Sequence, residues 1–417
     1  MSLQLPEKRQ NLTPYKFFYI WHYLEWGGAQ VLFFGLMKEA RKFGNVKAIM
    51  PRGSNEQLLK FLDNIKIPYN FFNAHLDATP ATTLNRKIKR HLNKIFCEIT
   101  LLNYLKNFNF DKSIIHTELA PWQSLLALLW LCRKAPVFVT MHNALPPVPK
   151  WRFLLWKLKF WVLTRINNFN LFTANKNTKE SLKPLVSEDF FNKITVIYAN
   201  INPVEIEQSK TIGIESEEIF KKYGLPANKF LVFCVGQFID RKGRWIFLEA
   251  ARELSKENND FAFVWISNSK PTFEDLEKVK NYNLGEVFIF IASDRIGTEH
   301  IDLFKLLRQA DVFVLPSYLE GLPISILEAM ALGIPAVSTN INAIPEAIKH
   351  LETGLLIEPG NTNELKKAIL LLKNDPLLRE KLSIQGKKYV LENFDETVVA
   401  KIAVKRYINS LQNKNGQ

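Results

Sequence analysis

Cysteine is scarce in this chain of 417 residues: Cys97, Cys132 and Cys234 stand far apart and form no C-x-x-C pair. That spacing excludes a disulfide framework and a cysteine-based zinc site, and it fits a reducing compartment. Long hydrophobic runs are missing too. The longest, such as 125–132, fall well short of the roughly 18–20 residues that cross a bilayer. Residues 2–13 are polar and charged, with no apolar signal core behind them. A cytoplasmic protein is expected, with a peripheral place at the inner face of the plasma membrane left open. No stretch repeats at a period of about 20–50 residues, so a solenoid is not expected.

Acidic residues are absent over a whole segment. From 119 to 179 there is no Asp or Glu, while Arg133, Lys134, Lys150, Arg152, Lys157, Lys159, Arg165, Lys176 and Lys179 are basic. Arg86, Lys87, Lys89, Arg90 and Lys94 form a second basic cluster upstream. The formal net charge of +14 is therefore concentrated in the first half. Nucleic acid, an anionic membrane and phosphorylated ligands all fit such a balance. No nucleic-acid-binding motif accompanies it, so nucleic acid is not expected as a partner.

Material for hydrophobic cores is plentiful: 47% of residues are hydrophobic and 31 are Phe, in a chain longer than one core organises. Short β-rich runs at 17–21, 46–50, 113–116, 137–141, 171–174 and 194–197 alternate with helical patterns. The alternation resumes at 230–235, 261–266, 287–291, 312–315 and 336–338. This is the pattern of α/β domains with parallel sheets covered by helices. Two facing, doubly wound domains are expected, 1–205 and 206–394, with the polar stretch 203–228 as linker. The tail is helical in pattern; its last part, about 395–417, is expected to cross back onto the first domain, with a disordered tip at 412–417. In such sheets ligands bind at the carboxyl ends of the strands, beside helix N-termini.

The most informative run is D-V-F-V-L-P-S-Y-L-E-G-L-P-I-S-I-L-E-A-M-A-L-G-I-P-A-V-S-T, 311–339. A buried strand ends at Pro316-Ser317, a loop carries Glu320 and Gly321, and Pro323 falls where a helix's first turn accepts proline. Gly333 then caps that helix. Glu320 stands ahead of the helix and Glu328 about one turn inside. Carboxylates there suit a vicinal diol, and the free N–H groups and dipole suit an anion. Spacing alone also fits two solvated acids at a helix start. Upstream, V-G-Q-F-I-D-R-K-G at 235–243 reads as strand, turn and helix start, with Lys242 placed to meet a diphosphate. His142 ends the run V-F-V-T-M-H, while His116 and Glu118 end the strand before it.

Taken whole, the 311–339 string resembles the E-x(7)-E signature of family 4 glycosyltransferases of GT-B fold. The likeness continues through Ile344-Pro345-Glu346 to Gly354-Leu355-Leu356-Ile357, and in weaker form covers most of the chain. The resemblance implies a retaining transfer from a nucleotide-sugar donor to a glycan or lipid-linked acceptor in surface-polysaccharide or lipopolysaccharide synthesis. It implies no metal and no cofactor beyond the donor itself. It places His142 and Glu320 at the reacting centre and Glu328 on the donor ribose. Gly28, Gly236, Gln237, Arg241, Lys242, Gly321, Leu322, Pro323 and Ile324 fall on its donor-binding positions, and His116 and Glu118 on the acceptor side. Gln237 stands where the family has arginine, with Arg241 as the expected replacement. Ala343 stands where it has glycine, Gln30 where it has an acid, and 265–269 where it has a glycine-rich turn. Alternatives left open are a non-catalytic GT-B-fold binding protein and a sugar-nucleotide epimerase. Helix Lys150–Leu163, rich in cations and aromatics, fits either an anionic membrane surface or a core helix with snorkelling lysines.

Overall fold

A computed structural model of the chain describes residues 15–24, 28–75, 83–210, 213–257, 260–297 and 299–412. The readings for 2–13 and for 413–417 lie outside these residues; Gln412 itself ends a helix.

Two parallel sheets form the frame. The first orders its strands β3-β2-β1-β4-β5-β6-β7, with β1 Tyr15–Ile20, β2 Gly44–Pro51, β3 Tyr69–Phe72, β4 Ser113–Thr117, β5 Val137–Met141, β6 Phe169–Thr173 and β7 Thr195–Val196. The second runs β10-β9-β8-β11-β12-β13, with β8 Phe230–Val235, β9 Phe261–Ser267, β10 Phe288–Ala292, β11 Val312–Leu315, β12 Ala336–Thr339 and β13 Leu355–Ile357. Central strands such as β5, β9 and β11 are buried at every position. Helices cover both faces, so these strands read as continuous apolar runs rather than alternating ones. The sequence pattern misses β3 and β13, two short edge strands with too few residues for a period to register. In each sheet the order reverses beside the first strand, between β1 and β4 and between β8 and β11, which sets the two switch points.

The stretch expected to be a linker is instead helical and belongs to the second domain. Asn202 caps helix Pro203–Gln208 by accepting from the Val204 N–H, with proline in its first turn. Arg308 fastens that helix by donating to Ser209 Oγ (3.0 Å) and the Ile206 carbonyl (2.7 Å). A second helix, Gly213–Tyr223, follows. The chain crosses between the domains at Ile201 and returns at Phe394–Glu396, where two backbone bonds of 2.9 Å join the passes. The last helix, Glu396–Gln412, then lies on the first domain. Its Val399, Ala403, Val404 and Tyr407 share one core with helix Gly28–Ala40 and one face of the first sheet.

That core corrects the acceptor-side reading of His116. On β4, Ile114 and His116 point to the face covered by the crossing helix, while Ile115 points to the other. His116 is fully buried. Its Nδ1 lies 2.5 Å from Tyr407 Oη and its Nε2 2.6 Å from Thr140 Oγ1, with the Phe33 ring 4.6 Å away. Burial, aided by His142, holds its pKa well below the usual imidazole value.

Replacing His116 by Ala is expected to cost about 2–4 kcal/mol, by opening a cavity and orphaning the Tyr407 hydroxyl; urea unfolding measures this. The depressed pKa fixes the sign of a pH effect. Below about pH 6.5 the unfolded chain takes up a proton at this position that the folded chain refuses, so stability is lost as pH falls. His116→Phe should lessen that acid-side decline in the urea midpoint.

Candidate active site

In the second domain the loop after β11 leads into helix Ile324–Ala331. Pro323 sits at its N-cap with φ −71° and ψ 118°, directly ahead of the helix. Gly333 closes the helix at φ +84°. Both carboxylates are buried, Glu320 at 7% and Glu328 at 5% exposure, so neither is a solvated helix-start acid. Glu320 Oε1 lies 2.7 Å from Lys242 Nζ, an ion pair by distance without hydrogen-bond alignment. Arg241 approaches Glu320 Oε2 at 3.6 Å and donates to the Leu319 carbonyl at 2.8 Å. Glu328 Oε1 lies 2.9 Å from His300 Nε2.

The turn after β8 brings the cations to this loop. Gly243 adopts φ +74°, and a Cβ there would stand 1.9 Å from the Pro316 carbonyl oxygen, so only glycine permits the approach. Residues 265–269, which replace the family's glycine-rich turn, brace the same loop. Trp265 Nε1 donates to the Gly236 carbonyl (2.9 Å), and the Phe238 N–H donates to Ser269 Oγ (3.1 Å). Buried Arg244, unremarked in the sequence, locks the base of the turn: it donates to the Phe238 carbonyl and to Asp240 and meets Asp275 at 2.8 Å.

Gly236, Gln237, Arg241, Lys242, Ile324 and Glu328 line one cleft of about 470 Å³. Gly321, Leu322 and Pro323 form the loop beside it, the last two buried. Gly28 is the first residue of the helix whose Val31 lines the same cleft from the first domain. Among the described residues no three His, Cys, Asp or Glu side chains form a metal-ligating group.

Across the cleft, His142 follows β5 and Glu118 follows β4. The His142 ring places Nε2 3.3 Å from Glu118 Oε1, close but short of hydrogen-bond geometry, and neither Glu118 oxygen has a hydrogen-bond partner. Gly321 joins the two sides: a Cβ there would lie 2.7 Å from both the His142 carbonyl and Asn143 Oδ1. The loops carrying His142 and Glu320 are thus in direct contact. Glu346 makes a second interdomain tie, accepting from the backbone N–H groups of Lys176 and Asn177, both at 2.8 Å. The loop containing Ala343 needs no glycine there, since Ala343 has φ −95° and is fully buried. The left-handed residue is Asn342, φ +46°, whose side chain accepts from the Glu320 N–H.

Residues 215–389 match the family model described as glycosyl transferases group 1. That match lies within the second domain and covers less than half of the chain. The carboxylate-bearing helix and the lysine turn both fall inside the matched region. The N,N'-diacetylbacillosaminyl-diphospho-undecaprenol alpha-1,3-N-acetylgalactosaminyltransferase of Campylobacter jejuni is 31% identical over 242 residues, 58% of this chain and 60% of that enzyme. The chain thus spans less than two thirds of that relative's length. Likeness over the whole chain comes from solved structures. A glycosyltransferase from Rickettsia africae aligns with TM-score 0.75 at 20% identity, covering 96% of this chain and 100% of that one. Anabaena HepE in complex with UDP-glucose aligns at 0.72 and 16% identity, covering 95% and 99%. The fold is the GT-B pair of facing Rossmann-like domains.

Because Arg244 pairs with buried Asp275 beneath the lysine turn of the second domain, Arg244→Ala is expected to destabilise the protein by about 3 kcal/mol. Chemical denaturation with the parent as reference provides the measurement.

Proposed function

We propose that this protein transfers a sugar from a nucleotide-sugar donor to a hydroxyl of a lipid-linked glycan, with retention of anomeric configuration and without a metal. The observation that carries the reading is the pairing of Lys242 and Arg241, which line the cleft, with Glu320 in the loop beside it, and Glu328 of the helix that follows that loop in the same cleft wall. The cations suit the donor's diphosphate, and the Glu328 carboxylate suits the ribose diol. On donor binding the diphosphate competes with Glu320 for Lys242, which frees Glu320 to meet the sugar. The bond from the anomeric carbon to the phosphate oxygen breaks as the acceptor oxygen attacks, and the leaving phosphate takes the acceptor's proton. His142, backed by Glu118, faces the contact with the Glu320 loop and positions the sugar. Arg241 supplies the charge that Gln237 lacks. The relative named above acts on a diphospho-undecaprenol-linked sugar, and HepE holds UDP-glucose; both fit this donor and acceptor class.

A panel of UDP-, GDP- and ADP-sugars with lipid-linked acceptors tests the reading. Acceptor-dependent release of the nucleoside diphosphate is expected. Release as free sugar or epimer alone, or no nucleotide-sugar binding at all, would sink it. Lys242→Ala is expected to lower kcat/KM by about 10²–10³, and Glu328→Gln to raise donor KM about tenfold or more. Arg241→Ala should cost about 1.5–3 kcal/mol of transition-state binding; unchanged turnover and donor affinity would remove its compensating role.

The first domain also presents a surface suited to an anionic bilayer. Helix Lys150–Leu163 buries Trp156, Phe160 and Leu163 yet exposes Trp151 (68%), Leu154 (64%) and Trp161 (51%). On the same sheet face, helix Leu84–Leu105 exposes Ile88, Leu92, Phe96 and Ile99 among its basic residues. Apolar groups left in water between cations are the make-up of an interfacial surface, and each cation near an anionic surface is worth about 1 kcal/mol. No helix of the described residues is long and apolar enough to cross the membrane, so contact would be peripheral, at the cytoplasmic leaflet. Sedimentation with phosphatidylglycerol vesicles should show salt-sensitive binding that Trp151→Ser with Trp161→Ser weakens. Equal binding to neutral vesicles would exclude the electrostatic part.

A further inference from the structure

His300 lies outside every motif in the sequence, yet it stands at the centre of the cleft's buried charge. It opens helix His300–Leu307, with Nε2 2.9 Å from Glu328 Oε1 and Nδ1 3.0 Å from Glu205 Oε2. A neutral imidazole has one N–H and can donate to only one of these carboxylates; the imidazolium donates to both. Glu205 belongs to helix Pro203–Gln208, directly after the interdomain crossing, where Asn202 Nδ2 also donates to it at 2.9 Å. The other charged groups nearby are Lys38 on helix Gly28–Ala40, its partner Glu396 on the crossing helix at 2.9 Å, Lys60 from the first domain, and Glu299, the N-cap residue of the histidine's helix. The Phe304 ring packs 4.4 Å from the imidazole. Two neighbouring cavities, the 470 Å³ cleft and one of about 270 Å³ on the hinge side, share His300 and Glu328 as part of their walls.

We propose that His300 is a positioning residue of the donor site: clamped between Glu205 and Glu328, it fixes the Glu328 carboxylate with one oxygen directed to the donor's ribose diol and ties that grip to the interdomain hinge. The inference rests on the donor-binding reading given above. Burying the Glu328 carboxylate without a partner is costly, and a clamped partner also removes its rotational freedom. Burial lowers the His300 pKa, but Glu328 and Glu205 outweigh it and raise the value to about 10. The imidazolium therefore persists across the neutral range.

The test is calorimetric titration of UDP, GDP and ADP into the full chain, with the tightest of the three carried on to variants of matched urea midpoint. His300→Ala is expected to weaken binding about tenfold or more, and His300→Gln, which keeps one N–H donor, to recover part of the loss. In Glu205→Gln the histidine loses one carboxylate and its pKa falls. Affinity should then decline on the alkaline side of neutrality as the weakened imidazolium loses its proton, where the parent's stays level. Unchanged affinity in His300→Ala, or a pH-independent Glu205→Gln, overturns the proposal. Failure of the parent to bind any of the three nucleotides overturns the donor-site reading, and this inference with it.

Discussion

The chain passes between its two domains at Ile201 and back at Phe394–Glu396, and the two passes are bonded to each other through their backbones. Everything at the cleft depends on that paired crossing. It sets the carboxyl ends of both sheets opposite one another, and it lets the last helix pack back onto the first domain through Tyr407 and its neighbours. Far from the crossing in sequence, Gly321 and Glu346 make the matching contacts at the cleft itself. One needs the absence of a Cβ, and the other uses a carboxylate to satisfy two helix-start N–H groups. The cleft is thus held at its hinge by backbone bonds and at its mouth by contacts that can separate without exposing a core.

The two buried carboxylates of the second domain's side of the cleft each face a cation of the protein's own. Glu320 faces Lys242 and Arg241, and Glu328 faces His300. Leaving such a group unpaired costs several kcal/mol, so these pairs hold the site in shape without a ligand. A donor that brings a diphosphate and a diol can exchange partners with them rather than desolvate bare charges. The turn that delivers Lys242 is in turn braced by Arg244, Trp265 and Ser269. Substitution of the family's glycine-rich turn by 265–269 is therefore matched by side-chain bonds in place of backbone freedom.

The two halves divide their surfaces as they divide their sequence. The second domain gathers paired acids and bases around one cleft. The first carries helices whose inner residues fill its core and whose outer residues leave tryptophan, leucine and isoleucine in water among cations. The acid-free run from 119 to 179 leaves that outer face positive, with Glu98 of the neighbouring helix paired to Lys94; the same helix fills the core on one side and exposes apolar groups and cations on the other.

Much of this was legible in the residues. The run from β11 to β12 carries its own punctuation in Pro323, Gly333 and the apolar strands around them, and such local signals survive folding because they act over a few residues. The positions of His142, Glu320 and Lys242 in the segments that follow strands, and of Glu328 inside the helix after Pro323, follow from the same local grammar. What sequence could not settle was direction and partnership. Alternation along β4 puts Ile114 and His116 on one face, but only the packed crossing helix makes that face a core rather than a cleft. Stretch 203–228 looked like a linker because its helices are short and polar, and Arg308, a hundred residues away, is what anchors the first of them. Ala343 looked out of place because the left-handed turn falls one residue earlier, on Asn342. His300 shows no pattern at all, since its partners Glu205 and Glu328 come from helices far apart in the chain that meet only when the second domain folds. Local chemistry determined which residues could serve a donor site; the tertiary structure decided which of them face one another, because pairing across a cleft is set by packing between elements distant in the chain.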